Sequence, residues 1–312
     1  MASNNTDFRG LIAAPLTPFH PDGSLNTGMV QDLANFLNTH KVQGAFICGT
    51  TGEGYSLSSH ERKALTEKWM EYRPDSFRII THVGQLSQKE ACELAKHSGE
   101  LKVDGISVTA PSFFKPATLQ DLTDYCGPIA ESAPETPFYY YHIPSMTGVD
   151  FSMNDWVKLA RQQIPTLRGI KYSHWDLSDL QSTRGTMADD NSFEIFFGRD
   201  EMLLPGLSMG ATGAVGSNYN FAGDFFTRII EAFQSGDIPL AQQLQSRAGD
   251  MINIMIKFGI IQSGKAVLSF LGMECGPLRS PLRELSDKEK SALKAELDSG
   301  GFFEDCLNSP LS

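Results

Sequence analysis

Eight short apolar runs recur along the chain, longer segments with helix-start signals separate them, and polar clusters close or follow five of the runs. Together these predict an α/β fold, a (β/α)8 TIM barrel with a C-terminal helical extension. The runs cover residues 11–19, 44–49, 78–83, 105–110, 137–142, 167–172, 193–197 and 210–216. Their continuous apolar character suits parallel strands covered on both faces. Between them, residues 58–72 open with Ser58-Ser59-His60-Glu61, a capping-box spacing, and Ser87 to Glu90 repeats it. Residues 118–132, 152–163 and 176–189 read as further helices, with Gly and Pro at the joins. A doubly wound sheet is the alternative, but it usually carries a Gly-rich nucleotide loop after its first strand. Here that place holds Pro15-Leu16-Thr17-Pro18-Phe19. Past about Phe225 strand signals stop, and residues 232–258, 262–271 and 286–297 read as helices, interrupted by Gly276, Pro277 and Pro281. The expected division is a barrel over residues 1–235 and a helical extension over 236–312.

The 312 residues are 41% hydrophobic and 20% charged, enough apolar material for one large barrel or two smaller domains. A net charge of −11 without a basic stripe speaks against nucleic acid and anionic membranes. It leaves room for a local cationic pocket that takes an anionic small molecule. Residues 1–7 are short and polar, unlike a signal peptide, and no stretch approaches the length of a membrane-spanning helix. Cys48, Cys92, Cys126, Cys275 and Cys306 are scattered and form no CxxC pair. That pattern predicts neither a disulfide framework nor a cysteine zinc site, and suits reduced thiols in the cytoplasm. Cys48, inside an apolar run, reads as buried filler.

Lys171 stands out, in Gly169-Ile170-Lys171-Tyr172-Ser173. A buried lysine is costly unless its charge is paired or removed. Without its proton it is a nucleophilic amine that forms Schiff bases with carbonyl substrates. A salt bridge or a strand-end position is the plainer use. In a TIM barrel the working groups lie at the C-terminal ends of strands. Sorted by that rule, Gly49-Thr50-Thr51-Gly52-Glu53-Gly54 follows the second strand and Tyr139-Tyr140-Tyr141-His142-Ile143-Pro144 closes the fifth. Lys171 and Ser173 belong to the sixth, Gly198-Arg199-Asp200-Glu201 to the seventh, and Gly213-Ala214-Val215-Gly216-Ser217-Asn218 to the eighth. The five clusters converge at one end. The Thr50-Thr51 loop offers hydroxyls and N–H groups to a carboxylate or phosphate, or is a glycine turn with capping threonines. It lacks the Gly-Lys-Ser/Thr ending of a P-loop. Alternation puts Tyr139 and Tyr141 on one strand face and Tyr140 and His142 on the other, where a core or interface role suits His142. Asp200 and Glu201 serve either a site or, more commonly, a helix start.

These pieces resemble the N-acetylneuraminate lyase and dihydrodipicolinate synthase family of class I pyruvate-dependent aldolases. The matching segments are Gly49-Thr50-Thr51-Gly52-Glu53, Tyr141-His142-Ile143-Pro144 with Thr147-Gly148, Gly169-Ile170-Lys171 and Gly213-Ala214-Val215-Gly216-Ser217. They occur in family order over residues 8–221, and the helical tail suits the family. Tyr140 to Val149, Gly198 to Glu201 and Ala211 to Ser217 resemble the lyase branch. Met146 stands where the synthase branch has an arginine for the second carboxylate of its aldehyde partner. Phe113 and Phe114 stand where that branch has a tyrosine reaching a neighbouring subunit.

The resemblance implies a cytoplasmic homotetrameric aldolase that needs no metal or organic cofactor and acts on a sialic acid. Lys171 would attack the C2 ketone of open-chain N-acetylneuraminate. The protonated imine draws in the C3–C4 bonding electrons, releases N-acetylmannosamine and leaves a pyruvate enamine that is protonated and hydrolysed. The amine must be unprotonated to attack, the form that burial favours. Tyr141 would take the proton of the C4 hydroxyl, with Thr50 beside it as a third catalytic group. Thr50 and Thr51 would hold the pyruvyl carboxylate, and Ser173, Gly198, Asp200, Glu201 and Ser217 the sugar hydroxyls. The other readings are an aldolase of the same family for a different 2-keto-3-deoxy sugar acid, dihydrodipicolinate synthase itself, and a sialic-acid-binding paralogue without turnover.

Overall fold

The computed structural model describes residues 10–303; the polar segment 1–7, Cys306 and the outer ends of the two predicted regions lie outside the described residues. Eight strands run β1 (Leu11–Ala13), β2 (Gly44–Ile47), β3 (Arg78–His82), β4 (Gly105–Thr109), β5 (Phe138–His142), β6 (Leu167–Tyr172), β7 (Glu194–Phe197) and β8 (Gly213–Gly216). Each pairs in parallel with the next, and β1 also pairs with β8, closing the barrel in sequence order. The fold is therefore the TIM barrel that the apolar runs predict. Twelve α-helices accompany it among the described residues. They are α1 (Val30–Thr39), α2 (Ser59–Tyr72), α3 (Gln88–Glu100), α4 (Leu119–Glu131), α5 (Pro144–Thr147), α6 (Met153–Gln163), α7 (Leu177–Thr186), α8 (Leu203–Ser208), α9 (Tyr219–Ser235), α10 (Ile238–Phe258), α11 (Ile260–Phe270) and α12 (Asp287–Ser299).

Several details differ from the sequence reading. The first apolar run supplies only Leu11–Ala13 to the sheet, because Pro15 and Pro18 have no N–H to donate. Leu16 and Phe19, beyond the strand, are buried all the same. Helix α2 has the complete capping box at Ser58 and Glu61. The repeat at Ser87 is only half a box: Ser87 accepts from the Glu90 N–H, but the Glu90 carboxylate accepts from Ser59 Oγ at 2.6 Å instead. Residues 232–258 are two helices, not one. Gly236, at φ +81, closes α9 in the left-handed conformation, and Asp237 then caps α10 by accepting from the Leu240 N–H.

Strand alternation divides the core in two. Ile12, Ala14, Phe46, Ile80, Tyr139, Tyr141, Ile143, Phe196 and Val215 fill the barrel interior. Tyr140 faces the helical layer, with Trp156 of α6 at 4.6 Å between ring centroids, and His142 faces Tyr172 at 5.2 Å. The extension is tied to the barrel's working end. Gln245 of α10 accepts from the Leu204 N–H and donates to the Asp200 carbonyl. Lys265 of α11 reaches Glu53 in the loop after β2.

Candidate active site

Register explains which polar groups meet. Tyr141 of β5 lies opposite Lys171 of β6, and Lys171 opposite Phe196 of β7, all pointing inward. Lys171 is only 4% exposed. Its Nζ lies 4.1 Å from the Tyr141 ring centroid and 4.3 Å from that of Phe46. Among the described residues no carboxylate stands within ion-pair distance of it. A buried amine walled by aromatic faces is screened from water, and cation–π contact is the one attraction on offer when it is charged. Thr50 Oγ1 lies 3.4 Å from Tyr141 Oη, so Lys171, Tyr141 and Thr50 form one cluster.

The other sequence-predicted residues surround this cluster at different depths. Ser173 is buried and donates to the Gly198 carbonyl at 3.3 Å. A Cβ at Gly198 would lie 1.9 Å from Ser173 Oγ and 3.4 Å from Lys171 Cε, so any larger residue there must displace the Ser173 hydroxyl. Thr51 and Ser217 are half-buried, and the Ser217 carbonyl accepts from Asn220 Nδ2. Asp200 and Glu201 open a 3-10 turn, Asp200–Met202. Asp200 is buried, and its Oδ2 accepts from both the backbone N–H and Nδ2 of Asn218, while Oδ1 has no hydrogen-bond partner. Burial raises its pKa, against the opposing pull of the Asn218 hydrogen bonds. Glu201 turns to Arg199, 2.5 Å away, whose guanidinium lies 3.1 Å over the Trp175 ring.

Four features escaped the sequence reading. Arg62 of α2 is fully buried beneath this end of the barrel; it donates to the carbonyls of Gly84 and His82, and among the described residues it has no carboxylate partner. His82 sits between Arg62 and the Tyr141 ring, 6.2 Å away, and burial first, then the charges of Arg62 and Lys171, hold its pKa well below the ordinary histidine range. Tyr55 shares a 2.7 Å hydrogen bond with Thr109. The fourth is the pairing of Glu53, at φ +54, with buried Lys265, 3.2 Å apart. Glu53 also accepts from the Arg279 N–H at 2.7 Å. The nearest acids are thus occupied elsewhere, Glu53 by Lys265 and Arg279 and Asp200 by Asn218. What remains beside Lys171 is cationic, hydroxyl and aromatic, a lining that favours an anionic ligand with a carbonyl.

A closed parallel barrel with a buried lysine beside a tyrosine at its working end is the architecture of a TIM-barrel enzyme. The chain belongs to the dihydrodipicolinate synthetase family, whose model matches residues 7–299. It is 40% identical to the N-acetylneuraminate lyase of Gallus gallus over 294 residues, 93% of this chain and 95% of that protein. It is 39% identical to the N-acetylneuraminate lyase of Homo sapiens over 310 residues, 97% and 96% of the two chains. The solved N-acetylneuraminate lyase of Proteus mirabilis superposes with a TM-score of 0.90 at 36% identity, covering 94% of this chain and 99% of that one.

Proposed function

We propose that this chain is a class I aldolase that reversibly cleaves N-acetylneuraminate to N-acetylmannosamine and pyruvate. The observation that carries the proposal is Lys171, a buried amine with no acid to pair it among the described residues, in van der Waals reach of Tyr141. Its Nζ adds to the C2 ketone, and water leaves as the imine forms. The protonated imine accepts the C3–C4 bonding pair while Tyr141 takes the proton of the C4 hydroxyl. The enamine is then protonated at C3, and hydrolysis returns free Lys171 and pyruvate. Thr50, 3.4 Å from Tyr141 Oη, gives that proton a neighbour to share and, with Thr51, offers hydroxyls to the substrate carboxylate. Arg62 supplies a positive background, and the neutral His82 beside it adds no competing charge. Ser173, Gly198, Asp200, Glu201 and Ser217 are assigned to the sugar hydroxyls. The family relatives at about 40% identity that carry the lyase name favour this substrate, as does Met146 in place of the synthase arginine.

The proposal extends to a cytoplasmic homotetramer. Phe113 and Phe114 are 74% and 84% exposed, an aromatic pair suited to a subunit contact, and Cys48, Cys92, Cys126 and Cys275 are free thiols. The deciding experiment treats the protein with pyruvate and borohydride and maps the reduced adduct by peptide mass spectrometry. It is paired with pyruvate release from N-acetylneuraminate and from other 2-keto-3-deoxy sugar acids. The expected outcome is an adduct on Lys171 and preferred turnover of N-acetylneuraminate. An adduct elsewhere sinks the mechanism, and preference for another keto acid sinks the substrate.

A further inference from the structure

On the outer side of the barrel, behind the groups just described, β5 ends in His142 and His174 lies two residues past the end of β6, with Asp150 in the loop that enters α6. We propose that His142, Asp150 and His174 form a binding site for a divalent transition ion of the zinc class. It is separate from the reaction proposed above and does not rest on it. The three ligand atoms lie within 4.8 Å of one another. Asp150 Oδ1 is 3.9 Å from His142 Nε2 and 3.5 Å from His174 Nε2. Both distances are too long for a hydrogen bond, so an ordinary His–Asp pair does not explain the cluster. They suit atoms arranged around a common centre, because ligands about 2.0–2.1 Å from a tetrahedral zinc stand roughly 3.3 Å apart. Closing the cluster takes side-chain shifts of about 1 Å. Asp150, with 62% of its side chain exposed, has room to make them, and His174 retains some freedom.

The second observation is His142 itself. It is 1% exposed, and neither ring nitrogen has a hydrogen-bond partner. Buried polar atoms are ordinarily satisfied, so an orphaned imidazole aimed at two further ligand groups points to something missing between them. Its ring is fixed by Tyr172, at 5.2 Å between centroids, and by Tyr140, at 6.2 Å. The other acids nearby are already employed. Asp179 accepts from Ser152 Oγ and the Met153 N–H, and Asp176 caps α7. They leave Asp150 as the free carboxylate while adding negative potential. A solvent-open recess of about 430 Å³, lined by Asp150, His174, Asp176 and Asp179, provides the way in. Two imidazoles and one carboxylate select zinc-class ions over calcium or magnesium, which take oxygen ligands. Three protein ligands leave a fourth position for water.

The test uses the full chain stripped with EDTA and titrated with Co2+, read by visible absorption, followed by Zn2+ competition and metal counting per chain. Wild type is expected to take up one ion per chain with a tetrahedral-type cobalt spectrum that zinc displaces. His174→Ala should weaken binding by at least ~100-fold and Asp150→Asn by ~10-fold or more, because each loses a ligand. His60→Ala, on the exposed side of α2, and thiol-blocked wild type should bind as before. Zinc should raise the melting temperature of wild type and leave that of His174→Ala unmoved. Absence of saturable binding, binding that survives His174→Ala, or binding that disappears on thiol blocking each overturns the site.

Discussion

Lys265→Met removes the positive half of an ion pair whose side chains are 7% and 0% exposed, leaving Glu53 charged and buried. Two charges 3.2 Å apart attract by about 5 kcal/mol at an effective dielectric of 20. Breaking a buried pair from one side costs roughly 3–5 kcal/mol, in the same range. The ammonium also donates to the carbonyls of Cys275 and Pro277, which methionine leaves bare. Burial pulls the Lys265 pKa below the ordinary lysine range and Glu53 pushes it back up, so the lysine's charge depends on Glu53. Unfolding entropy of roughly 2.1 cal/mol/K per residue, applied to 312 residues, turns that loss into a melting temperature about 5–8 °C lower. Function should suffer too. Glu53 holds a left-handed φ of +54 only two residues past Thr51, and a freed loop loosens Thr50 and Thr51. The apparent KM for the keto acid should therefore rise by ~10-fold with kcat less affected, because uniform binding is what is lost. Differential scanning calorimetry and steady-state kinetics on Lys265→Met, Glu53→Gln and the double variant check both claims. The double variant should lose less than the sum of the singles by about 2 kcal/mol. A melting temperature within about 1 °C of wild type, or additive losses, refutes the coupling.

Tyr141→Phe should lower turnover by about 10²–10⁴-fold while the Lys171 borohydride adduct with pyruvate still forms; equal turnover removes Tyr141 from the chemistry. Gly198→Ala places a methyl 1.9 Å from Ser173 Oγ, and should cost about 1–3 kcal/mol of stability in urea unfolding and slow adduct formation at Lys171. Unchanged adduct rates would show that Ser173 moves aside harmlessly. His82 stays neutral in the fold because burial and Arg62 disfavour its charge, whereas the unfolded chain protonates it near pH 6.5. The unfolded state thus binds the extra proton, and stability falls as pH drops below about 6.5, by up to about 1.4 kcal/mol per pH unit from this one group. His82→Asn should flatten that slope between pH 7 and 5; an unaltered slope contradicts a neutral His82.

The barrel was legible because parallel strands covered on both faces leave unbroken apolar runs, a signal independent of register or neighbours. Strand length was less legible. Leu16 and Phe19 are as buried as any strand residue, and only the missing N–H groups of Pro15 and Pro18 say that the ladder has ended. Helix α1 was present in the pattern as Val30, Leu33, Ala34 and Leu37, all buried at helical spacing, but its N-cap is Met29, so no capping side chain marks where it starts. The working end could be assembled from strand order, since Tyr141 and Lys171 are register partners. Arg62 could not, because Glu61-Arg62-Lys63 reads as a solvated helix face and nothing in three adjacent charges says which turns inward. Lys265 carried the same signal as Lys171, a lysine in an apolar stretch. Local sequence does not separate the two cases; the presence of Glu53 across the fold does.

That contrast bears on what makes Lys171 different. Both lysines are buried and both lie near aromatic rings, Lys265 with its Nζ 4.4 Å from the Phe19 centroid and Lys171 at similar range from Phe46 and Tyr141. Lys265 has an acid and two carbonyls, which fix its charge and its position. Among the described residues Lys171 has neither: the loop acid closest in sequence to Thr51 is held by the extension, and Asp200 is turned to Asn218. On the proposed mechanism the C-terminal extension would contribute by holding the Glu53 carboxylate away from the amine. An acid beside Lys171 would compete with the substrate for the amine, whereas hydroxyls and aromatic faces leave it open to a keto acid whose own carboxylate supplies the missing charge.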